Sequence, residues 1–163
     1  MEKNAQYWID HLDMQPHPEG GYYTETYRSA AKVENLDRPY STAIYFLLLE
    51  DKFSAFHRIR SDEMWHFYAG NPIEVLVLEE NGALNVSWLG NNPERGEQFQ
   101  LVVPAGLWFA SRMARPTSYG LVGCTVAPGF DFRDFEMAKR SDLIKQYPQH
   151  SQIIEELTYP KEL

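Results

Sequence analysis

The sequence predicts a mainly β fold, a sandwich or barrel with a short helix before it and helices after it. Three observations carry this. Between Tyr40 and Pro128 apolar runs of strand length follow one another with no helical segment between them. Turn residues separate the runs: Glu50–Asp51, Arg60–Asp62, Gly70–Asn71–Pro72, Asn81–Gly82, Gly90–Pro93, Pro104–Gly106 and Arg115–Pro116. The stretch Glu80–Asn81–Gly82 between two apolar runs is the sharpest hairpin signal in the chain.

The elements follow in order. Ala5, Trp8, Ile9 and Leu12 make one apolar stripe at helical spacing, and Pro16 and Pro18 end that helix. PHPEGGYYTETYRS then turns through Gly20–Gly21 and emerges as an aromatic strand, Tyr22 to Tyr27. TAIYFLLL, FSAFHRI, EMWHFYA, IEVLVLEE, ALNVSWLG, FQLVVP, LWFAS and YGLVGCTVA are the strands of the barrel or sandwich. Beyond Pro128, Phe135, Ala138, Leu143, Ile144 and Tyr147 read as one helical segment. Ile153, Ile154 and Leu157 read as another past Tyr147–Pro148. These helices are expected to cover the outside of the barrel or a subunit contact. With no repeat and no linker, residues 1–163 are expected to form a single domain.

Composition narrows the function. The chain is 44% hydrophobic, 23% charged and 14% aromatic, a globular profile. Fifteen Lys and Arg against 23 Asp and Glu leave a net charge of −8, which repels phosphate backbones and argues against a nucleic-acid partner. Cys124 is the sole cysteine, so no intrachain disulfide forms, and its apolar setting reads as a buried small residue. The longest apolar run, AIYFLLL, is too short to span a bilayer, and the N-terminal MEKNAQYWIDHL lacks a signal-peptide core. The expectation is a cytoplasmic protein with no membrane partner.

The candidate site lies in FHRIRSDEMWHFYAG. Side chains alternate faces along a strand, so Phe53, Ala55, His57 and Ile59 share one side and Glu63, Trp65 and Phe67 share another. If the two strands form a hairpin, His57 and Glu63 both point inward, while His66 points away. Arg58 reads as an outer or interface charge on the same parity. Trp65, Phe67, Trp108 and Phe109 read as barrel lining, and flat aromatic walls suit a sugar or another planar ligand. In PHPEGG, His17 and Glu19 read as turn residues at a barrel mouth.

His57, Glu63 and Gly70 resemble the first motif of the cupin superfamily, and Pro104–Ala105–Gly106–Leu107–Trp108–Phe109 resembles the second. The stretches PHPEGGYYTETYRS, FHRIRSDEMWHFYAGNPIEVLVL, VVPAGLWFA and LVGCTVAPGFDFRDFE resemble the cupin subfamily of domain of unknown function 985. The resemblance runs from about Trp8 to Leu157 and implies a cupin-type double-stranded β-helix, or jelly-roll barrel. A metal-binding cupin supplies three His and one Glu. Here Ile59 and Phe109 stand at two of the histidine positions, leaving His57 and Glu63 as the metal donors. That pair would hold at best a weak, water-rich divalent ion, so no cofactor is expected to be required.

A His–carboxylate pair also works without metal, as a general base whose pKa sits near working pH. Metal-free sugar-nucleotide epimerases of cupin type pair such a base with an acid tyrosine. The resemblance therefore implies a small-molecule-binding protein and, if it is an enzyme, an isomerase or epimerase with His57 as base and Glu63 as its orienting partner. Tyr45 or Tyr119 would be the acid, Tyr23 and Tyr27 being further candidates. Trp65, Phe67, Phe109 and Arg28 would contact a carbohydrate-like ligand. The alternatives are a non-catalytic ligand-binding or sensor module and a structural cupin with a vestigial site. Exposed strand edges and many aromatics predict a homodimer.

Overall fold

The protein is described by a computed structural model covering residues 2–116 and 118–160. Helix α1 spans Ala5–His11, and the side chain of Asn4 caps it by accepting the Tyr7 N–H. Its predicted stripe packs on Met14, Leu47, Tyr119 and Leu121. A left-handed Asp13 then turns the chain away.

Twelve strands follow: β1 (Gln15–Pro16), β2 (Tyr22–Arg28), β3 (Thr42–Leu49), β4 (Phe53–Arg58), β5 (Asp62–Gly70), β6 (Ile73–Leu78), β7 (Leu84–Leu89), β8 (Glu97–Gln98), β9 (Gln100–Val103), β10 (Trp108–Met113), β11 (Tyr119–Ala127) and β12 (Glu136–Met137). They form two six-stranded sheets. One runs β1-β2-β3-β11-β5-β9 and the other β12-β4-β10-β6-β7-β8. The Asn81–Gly82 turn joins β6 to β7 as an antiparallel hairpin, with Glu79 N–H bonded to the Ala83 carbonyl at 2.8 Å. The mainly β class, the principal strands and the flanking short helices are therefore as the sequence predicted.

Between the sheets lies a cluster that includes Phe46, Leu48, Trp65, Val75, Leu89, Phe109 and Val122. The outer face of the second sheet is covered by helices α2 (Arg140–Gln146) and α3 (Ser151–Glu156), through Leu143, Tyr147 and Ile154 packing on Phe56, Leu76 and Trp108.

Four expectations are corrected. β4 and β5 do not form a hairpin; they belong to opposing sheets. The β4–β10 register shifts between Ser54 and His57, so β4 carries an extra residue and Phe53 packs outward instead of sharing the His57 face. Trp108 is not barrel lining: it lies in the outer cluster under the helices, with Arg58 stacked on its ring at 4.2 Å. Helix α2 begins at Arg140, because Glu136 and Met137 pair with β4 and the Ala138 N–H bonds the Phe56 carbonyl. Strand pairing takes residues whose spacing alone suggested helix.

Candidate functional site

A cavity of about 490 Å³ opens at one end of the barrel. His57 and Ile59 line it from β4 and the residue following it, Glu63 from β5, Cys124 and Val126 from β11, and Thr42 and Ile44 from β3. Tyr23, Glu25 and Arg28 come from β2, where the register shifts between Glu25 and Tyr27. Simple alternation would place Arg28 on the opposite face from Glu25; the extra residue brings both to the cavity. The loop after β11 adds Phe130, Phe132 and Phe135, and the segment before β2 adds His17 and Glu19.

The turn at residues 17–21 sets the position of Glu19. His17 N–H bonds the Gly21 carbonyl and Gly20 N–H bonds the His17 carbonyl, each at 3.0 Å. Gly20 adopts φ of 110° and passes so close to Phe53 that a Cβ there would collide with its carbonyl oxygen. Only glycine meets both conditions. The extra residue in β4 interrupts its regular pairing with β10, and Ala55 N–H bonds the Glu19 carbonyl at 2.8 Å. This backbone bond carries the Glu19 side chain to His57.

His57 Nε2–H donates to Glu19 Oε2 at 2.5 Å, and Nδ1–H donates to the Ala55 carbonyl at 2.7 Å. Both ring nitrogens act as donors, which defines an imidazolium facing a carboxylate. Burial by itself would lower the His57 pKa, but the Glu19 charge and the two hydrogen bonds outweigh it and raise it above 6.5. Burial likewise would push Glu19 up, yet the charge on His57 and the bond to it hold the carboxyl below the usual carboxylate value. His17 accepts the Glu19 N–H at Nδ1, 3.1 Å away, and its burial lowers its pKa, so that ring is neutral.

Glu63 behaves differently. It is 8% exposed, and the Cys124 thiol donates a hydrogen bond to it. Burial and the nearby Glu19 charge push its pKa up to about 7, against partial relief from His57. The arrangement is an ion pair beside a carboxyl that changes protonation near neutral pH.

The structure brings four of the sequence-derived candidates to the cavity: His57, Glu63, Arg28 and Tyr23. The orienting partner of His57 is Glu19, not Glu63, and His57 has no ring nitrogen left to act as a base on a ligand. Tyr45 faces outward against Tyr68, and Tyr119 is bonded on the outer face by the Trp8 indole N–H at 3.0 Å and to the Lys3 carbonyl at 2.9 Å. Neither reaches the cavity; among the tyrosines considered, Tyr23 does. Trp65 and Phe109, each 1% exposed, belong to the close-packed end, and Phe67 packs against the same cluster. Phe109 touches the site indirectly, its ring 4.1 Å from that of His57. His66 points away, bonded to Thr125 Oγ1 at 3.0 Å. The sequence places Glu19 in a turn at the barrel mouth without showing that its carboxylate meets His57, and it gives no sign of the Phe130–Phe135 loop in the cavity. The available signal was a carboxylate set between Pro18 and two glycines, a turn built for close approach.

The donors do not match a cupin metal centre. His57 Nε2 is engaged by Glu19, Phe109 and Ile59 are apolar, and among the described residues no three His, Cys, Asp or Glu side chains are grouped to hold a metal ion. Among the described residues no helix is long and apolar enough to cross a membrane.

Two sheets, antiparallel throughout except for the short β7–β8 pair, closed around a cavity at one end define a cupin-type barrel. The chain belongs to the Cupin superfamily (DUF985) family, whose model matches residues 6–138. It is similar to a structure from Shewanella oneidensis at 38% identity and a TM-score of 0.92, covering 99% of this chain and all of that one. A hypothetical protein from Leishmania major is 40% identical with a TM-score of 0.89, over 96% of this chain and 99% of that one. An uncharacterized protein of Saccharomyces cerevisiae is 29% identical, over 87% of this chain and 79% of that protein. Oxalate decarboxylase from Bacillus subtilis shares the fold at 15% identity and a TM-score of 0.59; the match covers 93% of this chain and 38% of that enzyme.

Proposed function

We propose that the protein binds a small organic molecule in the barrel cavity and moves a proton on it, as an isomerase or epimerase does, without a required metal. The observation that carries this reading is Glu63: a buried carboxyl that titrates near neutrality, facing a cavity, beside a fixed Glu19–His57 ion pair. A general base works best when its pKa lies near the working pH. In this scheme the Glu63 carboxylate takes a proton from a carbon next to a carbonyl, and the electron pair moves onto the carbonyl oxygen. The His57 imidazolium stabilises that developing charge through the local field. Delivery of a proton from Tyr23 at the cavity wall to the other face of that carbon inverts it, and Glu63 then returns its proton to the Tyr23 phenolate through solvent, so that atoms and charge are conserved and both groups are restored.

The test is a thermal-shift screen of sugars, hydroxyketones, sugar acids and amino sugars on wild type, followed by proton NMR of the hits in D2O. Wild type is expected to bind and to wash deuterium into a carbon-bound position, while Glu63→Gln binds without exchange. Exchange undiminished in Glu63→Gln removes the role of Glu63, and a screen without hits removes the binding reading. Binding without exchange in wild type selects the sensor alternative. We further propose a homodimer, supported by the exposed Tyr68, Phe99 and Val102 on and beside the outer face of the first sheet. A monomer by light scattering across micromolar concentrations excludes it.

A further inference from the structure

The charged groups around the cavity are already matched among themselves. His57 spends both ring N–H groups on Glu19 and the Ala55 carbonyl. Arg28 grips Glu25 through two bonds of 2.8 Å and gives Nη1 to the Phe130 carbonyl at 3.2 Å. Asp131 is bonded to Arg133 through Nη2 at 2.8 Å, and Arg38 approaches it at 3.9 Å. The His17 ring accepts the Glu19 N–H and is neutral. Glu63 is the lining carboxyl whose bonding partner, the Cys124 thiol, carries no charge.

An incoming carboxylate or phosphate would therefore meet no uncommitted cation among the described lining residues. It would have to displace Glu25 or Glu19 and would lie near Glu63, and like charge in a cavity with restricted water is a strong means of rejection. An ammonium would find Glu63, but pairing with it would require ionising a carboxyl that burial holds toward its protonated form and whose side chain already bonds the Cys124 thiol. What the cavity offers freely is neutral: the Gln15 amide, the Tyr23 hydroxyl, and apolar faces from Ile44, Ile59, Val126 and Phe132. Hydroxyl groups that both donate and accept match the first set, and the C–H faces of a sugar ring match the second.

We infer that the ligand is an uncharged polyhydroxylated carbonyl compound, a free sugar, and that the cavity turns away sugar acids and phosphate esters. This rests on the binding reading above and narrows it. It also separates the protein from the sugar-nucleotide chemistry that the resemblance first suggested, because no lining cation is free to hold a diphosphate.

The experiment is calorimetric titration with matched triplets on one skeleton: glucose, glucuronate and glucosamine, then the galactose and mannose series, at constant ionic strength. In wild type at least one neutral member should bind, with its acid weaker by about tenfold or more. Glu25→Gln frees the Arg28 guanidinium at the exposed side of the cavity and should raise affinity for the acids severalfold. An acid or amine that binds wild type more tightly than its neutral counterpart overturns the inference while leaving the binding reading intact. If no neutral member binds but the wider screen yields charged hits, the inference again falls alone. Silence from the triplets and the screen together overturns both.

Discussion

At one end of the barrel, β5 and β10 deliver Trp65 and Phe109 into an apolar cluster with Phe46, Val75 and Leu89. At the other end the same β5 delivers Glu63, and β4 delivers His57, to a polar cavity closed by the Glu19 turn. The packed end gains from burial of apolar surface and has room for nothing else. The cavity end keeps His17, Glu19, His57 and Glu63 away from water, an arrangement that costs stability unless such groups are paired. The contrast assigns different work to the two ends: Trp65 and its neighbours hold the sheets together, and the surplus they provide lets Glu63 remain strained toward its protonated form.

Breaking the packed end should cost most. Trp65→Ala removes a 1% exposed aromatic and is expected to destabilise by about 3–5 kcal/mol in denaturant unfolding. A loss near zero would mean that the cluster is not what holds the sheets. Next is the ion pair. Glu19→Gln leaves the buried His57 with a weaker partner and should cost about 3 kcal/mol, whereas the double variant Glu19→Leu, His57→Phe should lose less than the single. Equal losses would show that the two side chains do not act as a pair.

Protonation sharpens the comparison further. Glu63 is raised from 4.5 to about 7, so between those values the folded protein binds more protons than the unfolded chain, and stability falls as pH rises. His57, raised above 6.5, acts in the same direction: its contribution is complete below pH 6.5 and is lost as pH rises through the folded value. Glu19, lowered, contributes above 4.5 and loses that contribution as pH falls. Glu63→Gln should therefore be more stable than wild type at pH 8, by up to about 3 kcal/mol, with the difference vanishing near pH 4. Unfolding curves across that range check it; a pH-independent difference would contradict the raised value. The smallest effect belongs outside both regions. Tyr119→Phe loses the bonds to Trp8 and Lys3 that pin α1, and should cost about 1 kcal/mol without changing ligand binding.

Much of the fold was legible because local signals coincide with it. The runs from TAIYFLLL to YGLVGCTVA are bounded by their own turns, and the stripe of α1 carries its period within a few residues. The site was legible where alternation held, at Glu63 pointing in and His66 pointing out. It failed where one extra residue reverses a strand's faces, at Phe53 in β4, and where a partner arrives from a distant turn.

The sequence by itself determined the strand segments, the hairpin at Asn81–Gly82, the acidic balance and the loss of two cupin metal positions at Ile59 and Phe109. These follow from side-chain type, period and turn chemistry, all of which act within a few residues. The tertiary structure decided that β4 and β5 lie in opposite sheets, that Arg28 reaches the cavity, and that Glu19 rather than Glu63 neutralises His57. Those outcomes depend on register shifts and on contacts between segments far apart in the chain. Only closure of the barrel brings such groups within hydrogen-bonding distance.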